Sequence, residues 1–173
     1  MDKKKIFIFL GIFWLAVIGG FIGYKEYTLR TGQEVLLRTV PVDPRDLFRG
    51  DYVVLRYDIS SLNPQSVTFE RDDFKPGDRI FVSLDIEERY AVATGVYFQS
   101  PKEGLFIKGK LKDVSSGRLN VEYGIESYFV PEGRGRDIER ELEKSIDARV
   151  IIDTLGNAII KALLVDGQEV KFK

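Results

Sequence analysis

The chain begins with an apolar run and continues with segments in which apolar and polar residues alternate. Residues 6–24 (IFIFLGIFWLAVIGGFIGY) carry no charge over 19 positions. At 1.5 Å per residue, a helix of this length approaches the hydrocarbon thickness of a bilayer. Lysines occupy positions 3–5 before the run, and residues 24–27 (YKEY) follow it as interfacial anchors. The pattern predicts an N-terminal membrane anchor over residues 1–27 and a separate domain over residues 28–173.

We expect this anchor to stay attached to the domain. A cleaved signal peptide also starts with lysines, but its apolar core usually has about 7–15 residues and ends at a small-residue cleavage site. This run is longer, and no such site follows it. Three lysines precede the span, whereas only Lys25 and Arg30 follow it closely, which favours a cytoplasmic N-terminus and an extracytoplasmic domain.

Four glycines interrupt the apolar run, and two of them, Gly19 and Gly23, form a G-x-x-x-G pair. Small residues at this spacing let the backbone of a second membrane helix approach closely. The pair is therefore a candidate for helix pairing within the bilayer.

From residue 33 onward the alternation has a period of two, which is the signature of strands with one buried face. The segments that we predict as strands are 33–42, 52–59, 79–86, 90–98, 104–114, 118–125, 148–153, 158–165 and 168–172. Residues 136–144 (RDIERELEK) place Ile138 and Leu142 four positions apart among charged residues, which predicts a short amphipathic helix. The fold class is therefore mainly β (α+β), with one mostly antiparallel domain behind the transmembrane helix.

One pattern occurs twice in the domain. Residues 50–59 (GDYVVLRYDI) and residues 77–86 (GDRIFVSLDI) share Gly-Asp, an apolar alternation and a closing Asp-Ile. Glycine permits a tight turn, and aspartate can accept hydrogen bonds from the following amides, so the pair starts a strand in a fixed register. A turn is repeated more readily than a catalytic dyad, so we interpret the motif as structural, with Leu55 and Tyr57 on the core face.

The first copy also carries a family resemblance, because residues 50–57 fit Gly-Asp-Tyr-x-x-Leu-x-Tyr at every fixed position. Those positions are Gly50, Asp51, Tyr52, Leu55 and Tyr57. The chain thus resembles the GDYXXLXY family of bacterial membrane-associated proteins without assigned activity, and the stretch 129–133 (FVPEG) also belongs to that family's pattern. The resemblance implies a single-pass protein of the plasma (inner) membrane, with a multi-span membrane protein as its partner.

Composition removes several classes of function. The 26 Lys and Arg balance 27 Asp and Glu, so the net charge of −1 gives no electrostatic reason to bind nucleic acid. The chain has no Cys and no His, which excludes thiol nucleophiles, disulfides, imidazole bases and ordinary zinc sites. The acidic residues lack the spacing of a calcium loop. We expect no metal and no cofactor.

The layout of a membrane helix followed by a β-rich external domain also resembles bacterial signal peptidases. Their catalytic serine stands eight residues before a Gly-Asp pair, and a proline stands five before it. Here these positions hold Val42 and Arg45, so the nucleophile is absent. We expect a non-catalytic module that binds or assists a membrane partner. The alternative is a carboxylate- or Lys-dependent enzyme acting on an envelope polymer.

A second candidate site precedes the predicted helix, where Arg134, Gly135 and Arg136 follow a Pro-Glu-Gly loop. Free amides at a helix N-terminus and arginine side chains can hold a phosphate or carboxylate, which makes this segment a candidate for anion binding. The alternative is that both arginines pair with the neighbouring acids Glu132, Asp137 or Glu139 on the surface.

Overall fold

The structure is a computed structural model, and it describes residues 3–40, 52–71, 73–115, 117–129 and 146–170. The chain divides into two compact units, Met1–Gly32 and Gln33–Lys173.

The first unit contains one helix, α1 (Lys3–Thr31). Its stretch Ile6–Tyr27 is long and apolar enough to cross a bilayer, and the large apolar side chains along it are exposed. Helical structure continues past the boundary expected at residue 27, and Arg30 donates to Glu26 one turn earlier over 2.8 Å. Gly32 alone then separates α1 from the first strand.

The second unit is built of strands joined by short turns. The strands in its described residues are β1 (Gln33–Arg38), β2 (Tyr52–Val54), β3 (Ser61–Leu62), β4 (Thr68–Phe69), β5 (Arg79–Glu87), β6 (Tyr90–Tyr97), β7 (Leu105–Ser115), β8 (Arg118–Glu122), β9 (Ser127–Phe129), β10 (Ile146–Ile152), β11 (Ala158–Val165) and β12 (Gln168–Glu169). The mainly β fold class predicted from the alternation is confirmed. The helix predicted over residues 136–144 lies outside the described residues.

Most strands belong to one large sheet, in the order β12-β11-β10-β1-β6-β5-β7-β8-β3. Neighbouring strands in this sheet are antiparallel, except that β6 pairs in parallel with β1 and with β4. Strands β2 and β9 form a separate antiparallel pair. Because β1 lies between β10 and β6, segments far apart in sequence meet around its last residues.

The motif segment buries the face that its alternation predicted. Val53, Leu55, Tyr57 and Ile59 are all less than 5% exposed. The segment is not one continuous strand, however, since β2 ends at Val54 and residues 58–60 form a 3-10 turn. The Ser60 side chain accepts a hydrogen bond from the Tyr57 amide, which stabilises this turn in place of a longer ladder.

The second copy of the pattern starts a strand as predicted, but in a different place. Gly77 lies in a turn with φ +96, and the strand β5 that follows lies in the large sheet. The expected hydrogen bonds from following amides are not the ones made: Asp78 accepts from the amide of Lys75, which precedes it by three residues. Asp78 therefore closes the turn that enters the strand. Ile86, at the end of the copy, is 50% exposed, unlike its counterpart Ile59.

Candidate functional site

Two residues of the family motif, Leu55 and Tyr57, lie in the core of the second unit. The Tyr57 hydroxyl donates to the carbonyl of Ile125 over 2.6 Å, and the Tyr123 hydroxyl donates to the carbonyl of Ile59. Burial raises the pKa of both phenols well above the ordinary value, and the Glu126 carboxylate raises it further. Both hydroxyls therefore stay protonated as donors inside the core.

Several predicted site residues lie where the structure gives no geometry. Gly50 and Asp51 lie outside the described residues, and Tyr52 is the first residue of β2. Arg134, Gly135 and Arg136 also lie outside them, so the anion site stays a prediction. Gly19 and Gly23 lie on α1, where an added Cβ would meet nothing within 4 Å. Helix pairing through them also stays a prediction.

A cavity of about 400 Å³ opens on the second unit between the end of β1, the 3-10 turn and the β5–β6 hairpin. Its floor is apolar, and every member of that floor is less than 8% exposed: Leu37, Ile59, Leu62, Val67 and Ala91. Its rim carries four exposed charged residues, Arg38, Asp58, Glu87 and Glu88. A concave apolar surface with a few convergent polar groups is the usual form of a ligand site.

The strand pairing explains how this rim is assembled. Arg38 is the last residue of β1 and lies opposite Asp147 of β10, while Leu36 lies opposite Tyr90 of β6. Since directly paired residues share a face, Arg38, Tyr90 and Asp147 all project from one side of the sheet. Leu37, which lies between Leu36 and Arg38 in the sequence, points into the core and is 0% exposed.

Behind the rim, two arginines and a buried carboxylate surround the Tyr90 ring. The Arg38 guanidinium lies 4.3 Å from the ring centroid and that of Arg89 lies 4.9 Å from it. The Tyr90 hydroxyl donates to Asp147 Oδ2 over 2.9 Å, and Arg89 Nη2 reaches the same oxygen over 3.3 Å. Asp147 is thereby fixed by charge-assisted hydrogen bonds beside Tyr90, which itself lines the cavity.

The Asp147 side chain is only 2% exposed, and its second oxygen, Oδ1, has no hydrogen-bond partner in the described part of the chain. A buried carboxylate oxygen without a donor is costly, so it stands out in a folded protein. The negative charge of Asp147 also affects the pKa of Asp58. Burial raises the pKa of Asp58 above its ordinary value, the Arg38 guanidinium opposes that shift, and Asp147 adds to it.

Glu88 adds an unusual backbone to the same rim. It occupies the first position of the tight β5–β6 turn with φ +55, a left-handed conformation that Gly or Asn adopts with less strain. Sequence reasoning missed this whole site, since Arg38 and Glu88 belong to no motif and Asp58 appears only as part of the closing Asp-Ile of the repeated pattern. Separately, each reads as an ordinary surface charge at the end of a strand.

A second cavity of about 380 Å³ lies beside the motif segment, near Leu55 and Asn120. Two polar pairs are already formed along it: Lys112 pairs with Glu122 over 2.9 Å, and Asn120 donates to Asp113 over 2.8 Å. The first cavity is therefore the better candidate, because its three acids are not used in this way. Among the described residues, no group of acidic side chains is arranged to hold a metal ion.

Comparison with known proteins gives one match. The family model described as GDYXXLXY protein matches residues 14–163, which is most of the chain. Neither the curated proteins nor the solved structures contain a match.

Proposed function

The chain belongs to the GDYXXLXY family, and from that premise we propose that it is a membrane-anchored envelope protein that binds a partner protein and performs no catalysis of its own. The observation that carries the proposal is the cavity, whose buried apolar floor and charged rim suit recognition of a polypeptide segment. The apolar stretch Ile6–Tyr27 supports the anchoring, since it can cross a bilayer.

The proposed orientation and partner follow from the sequence. The lysines at positions 3–5 favour a cytoplasmic N-terminus, which places the cavity outside the cytoplasm beside the plasma membrane. A domain held within a short distance of the bilayer meets membrane proteins at high effective concentration. We therefore propose a multi-span membrane protein as the partner, in agreement with the family resemblance.

Binding without catalysis is supported by the side chains at the cavity. The chain has neither His nor Cys, and the nucleophile position of the signal-peptidase pattern holds Val42. Tyr90 is held by a hydrogen bond to the buried Asp147, and burial raises the pKa of Asp58 at the rim. Acids around an apolar floor, in a chain that has no imidazole or thiol to pair with them, suit recognition better than acid–base chemistry, which needs matched partners.

Photocrosslinking from the cavity tests the proposal. Ser66 lines the cavity and is exposed, so it can be replaced by p-benzoylphenylalanine in the full-length protein within native membranes. The same replacement at Lys102, which is exposed but does not line the cavity, is the matched control. We expect one membrane protein to be crosslinked at position 66 and not at position 102. No adduct, or the same adduct at both positions, would contradict the proposal.

One observation favours the alternative of a carboxylate-dependent enzyme. Asp58 lines a cavity and its raised pKa favours the protonated form, as in a general acid. In that case purified full-length protein would release soluble fragments from isolated envelope polymer, and Asp58→Asn would abolish the release. We expect no fragments from either protein.

A further inference from the structure

We propose that the cavity binds a positively charged side chain, a lysine or an arginine, carried by the partner segment. This inference rests on the function proposed above and specifies the chemistry by which the partner is recognised. Three features support it: the charges of the rim, the existing contacts of Arg38 and Arg89, and the apolar floor.

The described rim has an excess of negative charge. Asp58, Glu87 and Glu88 contribute three carboxylates and Arg38 one guanidinium. No hydrogen bond or ion pair joins the side chains of these three acids to another described residue, in contrast to Glu34, which pairs with Lys161 over 2.6 Å. Three carboxylates around one concave surface create a negative potential that favours a cationic group.

The two arginines that contact Tyr90, Arg38 and Arg89, already have partners. Arg38 is held over the face of Tyr90, and Arg89 is bound to the Tyr90 hydroxyl over 2.6 Å and to Asp147. Neither guanidinium group forms an ion pair with an acid of the rim in the described structure.

The floor explains why a long side chain fits better than a free ion. Lysine and arginine place a chain of three or four methylene groups on apolar surface while the charged head stays polar. Val67 and the half-buried Val92 and Ala93 line the cavity and provide such a surface. A volume of about 400 Å³ accommodates one such side chain with part of its backbone.

Peptide titration tests the inference directly. The probe is Ac-Leu-Arg-Leu-NH2, added to the full-length protein in nonionic detergent and followed by the amide NMR signals of Asp58, Glu88 and Ala91. The matched probe replaces arginine by citrulline, which keeps the shape and removes the charge. We expect millimolar binding of the arginine peptide and at least fivefold weaker binding of the citrulline peptide. Equal binding of both, or no shift at 10 mM, would overturn the inference.

Two further experiments test whether the rim charge selects the ligand and whether that ligand is a protein side chain or a free polyamine. The double variant Asp58→Asn with Glu88→Gln should weaken the arginine peptide at least fivefold, whereas Glu103→Gln, exposed and outside the cavity, should not change it. Cadaverine represents a free polyamine. It should bind more weakly than the peptide, and tighter binding of cadaverine would contradict a partner side chain as the ligand.

The failure of this inference is distinguishable from failure of the proposed function. If position 66 crosslinks to a membrane protein equally well in the wild type and in the double variant, the partner exists but charge does not select it. If the arginine peptide binds and no adduct forms in membranes, the cavity has the proposed chemistry without the proposed partner.

Discussion

Tyr57 and Tyr123 donate hydrogen bonds into each other's segments: Tyr57 to the carbonyl of Ile125, and Tyr123 to the carbonyl of Ile59. The amide of Leu55 adds a bond to the carbonyl of Glu126 over 2.7 Å. The Glu126 side chain accepts in turn from the amides of Tyr123 and Gly124. The last tyrosine of the family motif thus joins the motif segment to the chain after β8.

Replacing Tyr57 by Phe removes the donor and leaves a buried carbonyl without its partner. We expect a loss of about 1–3 kcal/mol in the free energy of unfolding, and a similar loss for Tyr123→Phe. Urea unfolding of the full chain in nonionic detergent, followed by near-UV circular dichroism, measures it. Tyr97→Phe is the control, since the described structure shows no hydrogen bond from that hydroxyl. Equal stability of Tyr57→Phe and the wild type would show that the bond contributes nothing.

Leu55→Ala tests the core role of the motif in the same assay. Leu55 is 4% exposed within the main hydrophobic core, so truncation should cost about 2–5 kcal/mol. Its neighbour Arg56 is exposed, and Arg56→Ala should change stability by less than about 0.5 kcal/mol. An unchanged midpoint for Leu55→Ala would remove the residue from the core.

Two glycines with similar backbones separate conformational strain from crowding. Gly104 and Gly156 have φ +86 and +80, but an added Cβ at Gly104 meets nothing within 4 Å. At Gly156 the added atom would lie 2.8 Å from the Phe106 ring. We expect Gly104→Ala to cost about 1–2 kcal/mol from the left-handed backbone alone. Gly156→Ala should cost about 1–3 kcal/mol more because of overpacking. Equal losses would show that Phe106 moves aside freely.

Periodicity was sufficient to predict the long strands, because burial on one face imposes it on the sequence, whereas the short strands β3, β4 and β9 lie outside the predicted segments. Val150, Ile151 and Ile152 are all buried, as their consecutive apolar character predicted for β10. Ile159 and Ile160 show the same character and are only half-buried, and the register shift between Arg149 and Val150 leaves Lys161 of β11 without a directly paired residue on β10. Such a shift depends on the partner strand, and the sequence of β11 alone does not contain it.

The candidate site could not be predicted in the same way. Asp147 is 109 positions from Arg38, and their adjacency depends on β1 being inserted between β10 and β6. No local pattern reports that order. The Gly-Asp repeat illustrates the converse limit, because Gly50 and Gly77 share a sequence pattern while the strands that follow them belong to different sheets.

Membrane orientation can be tested through the absence of cysteine. Because the natural chain has none, Lys102→Cys and Lys4→Cys each create one unique thiol. A cytoplasmic N-terminus predicts that a membrane-impermeant maleimide labels Lys102→Cys in intact bacterial spheroplasts and labels Lys4→Cys only after permeabilisation. The reverse pattern would invert the proposed topology, and labelling of both in intact cells would exclude a membrane-spanning α1.

Asp58 should make the protein less stable as the pH rises, whereas a salt-bridged carboxylate has the opposite effect. Burial and the Asp147 charge raise its pKa above the ordinary value of 3.8, and Arg38 compensates only in part. The folded state therefore binds the Asp58 proton more tightly than the unfolded state, so this residue's contribution to stability falls as pH rises above about 3.8. Asp58→Asn should raise the Tm at pH 7, and the difference should disappear near pH 3. A lower Tm at pH 7 would mean that the Arg38 charge outweighs burial. The expected gain also fits a binding role, since residues kept for recognition often reduce stability.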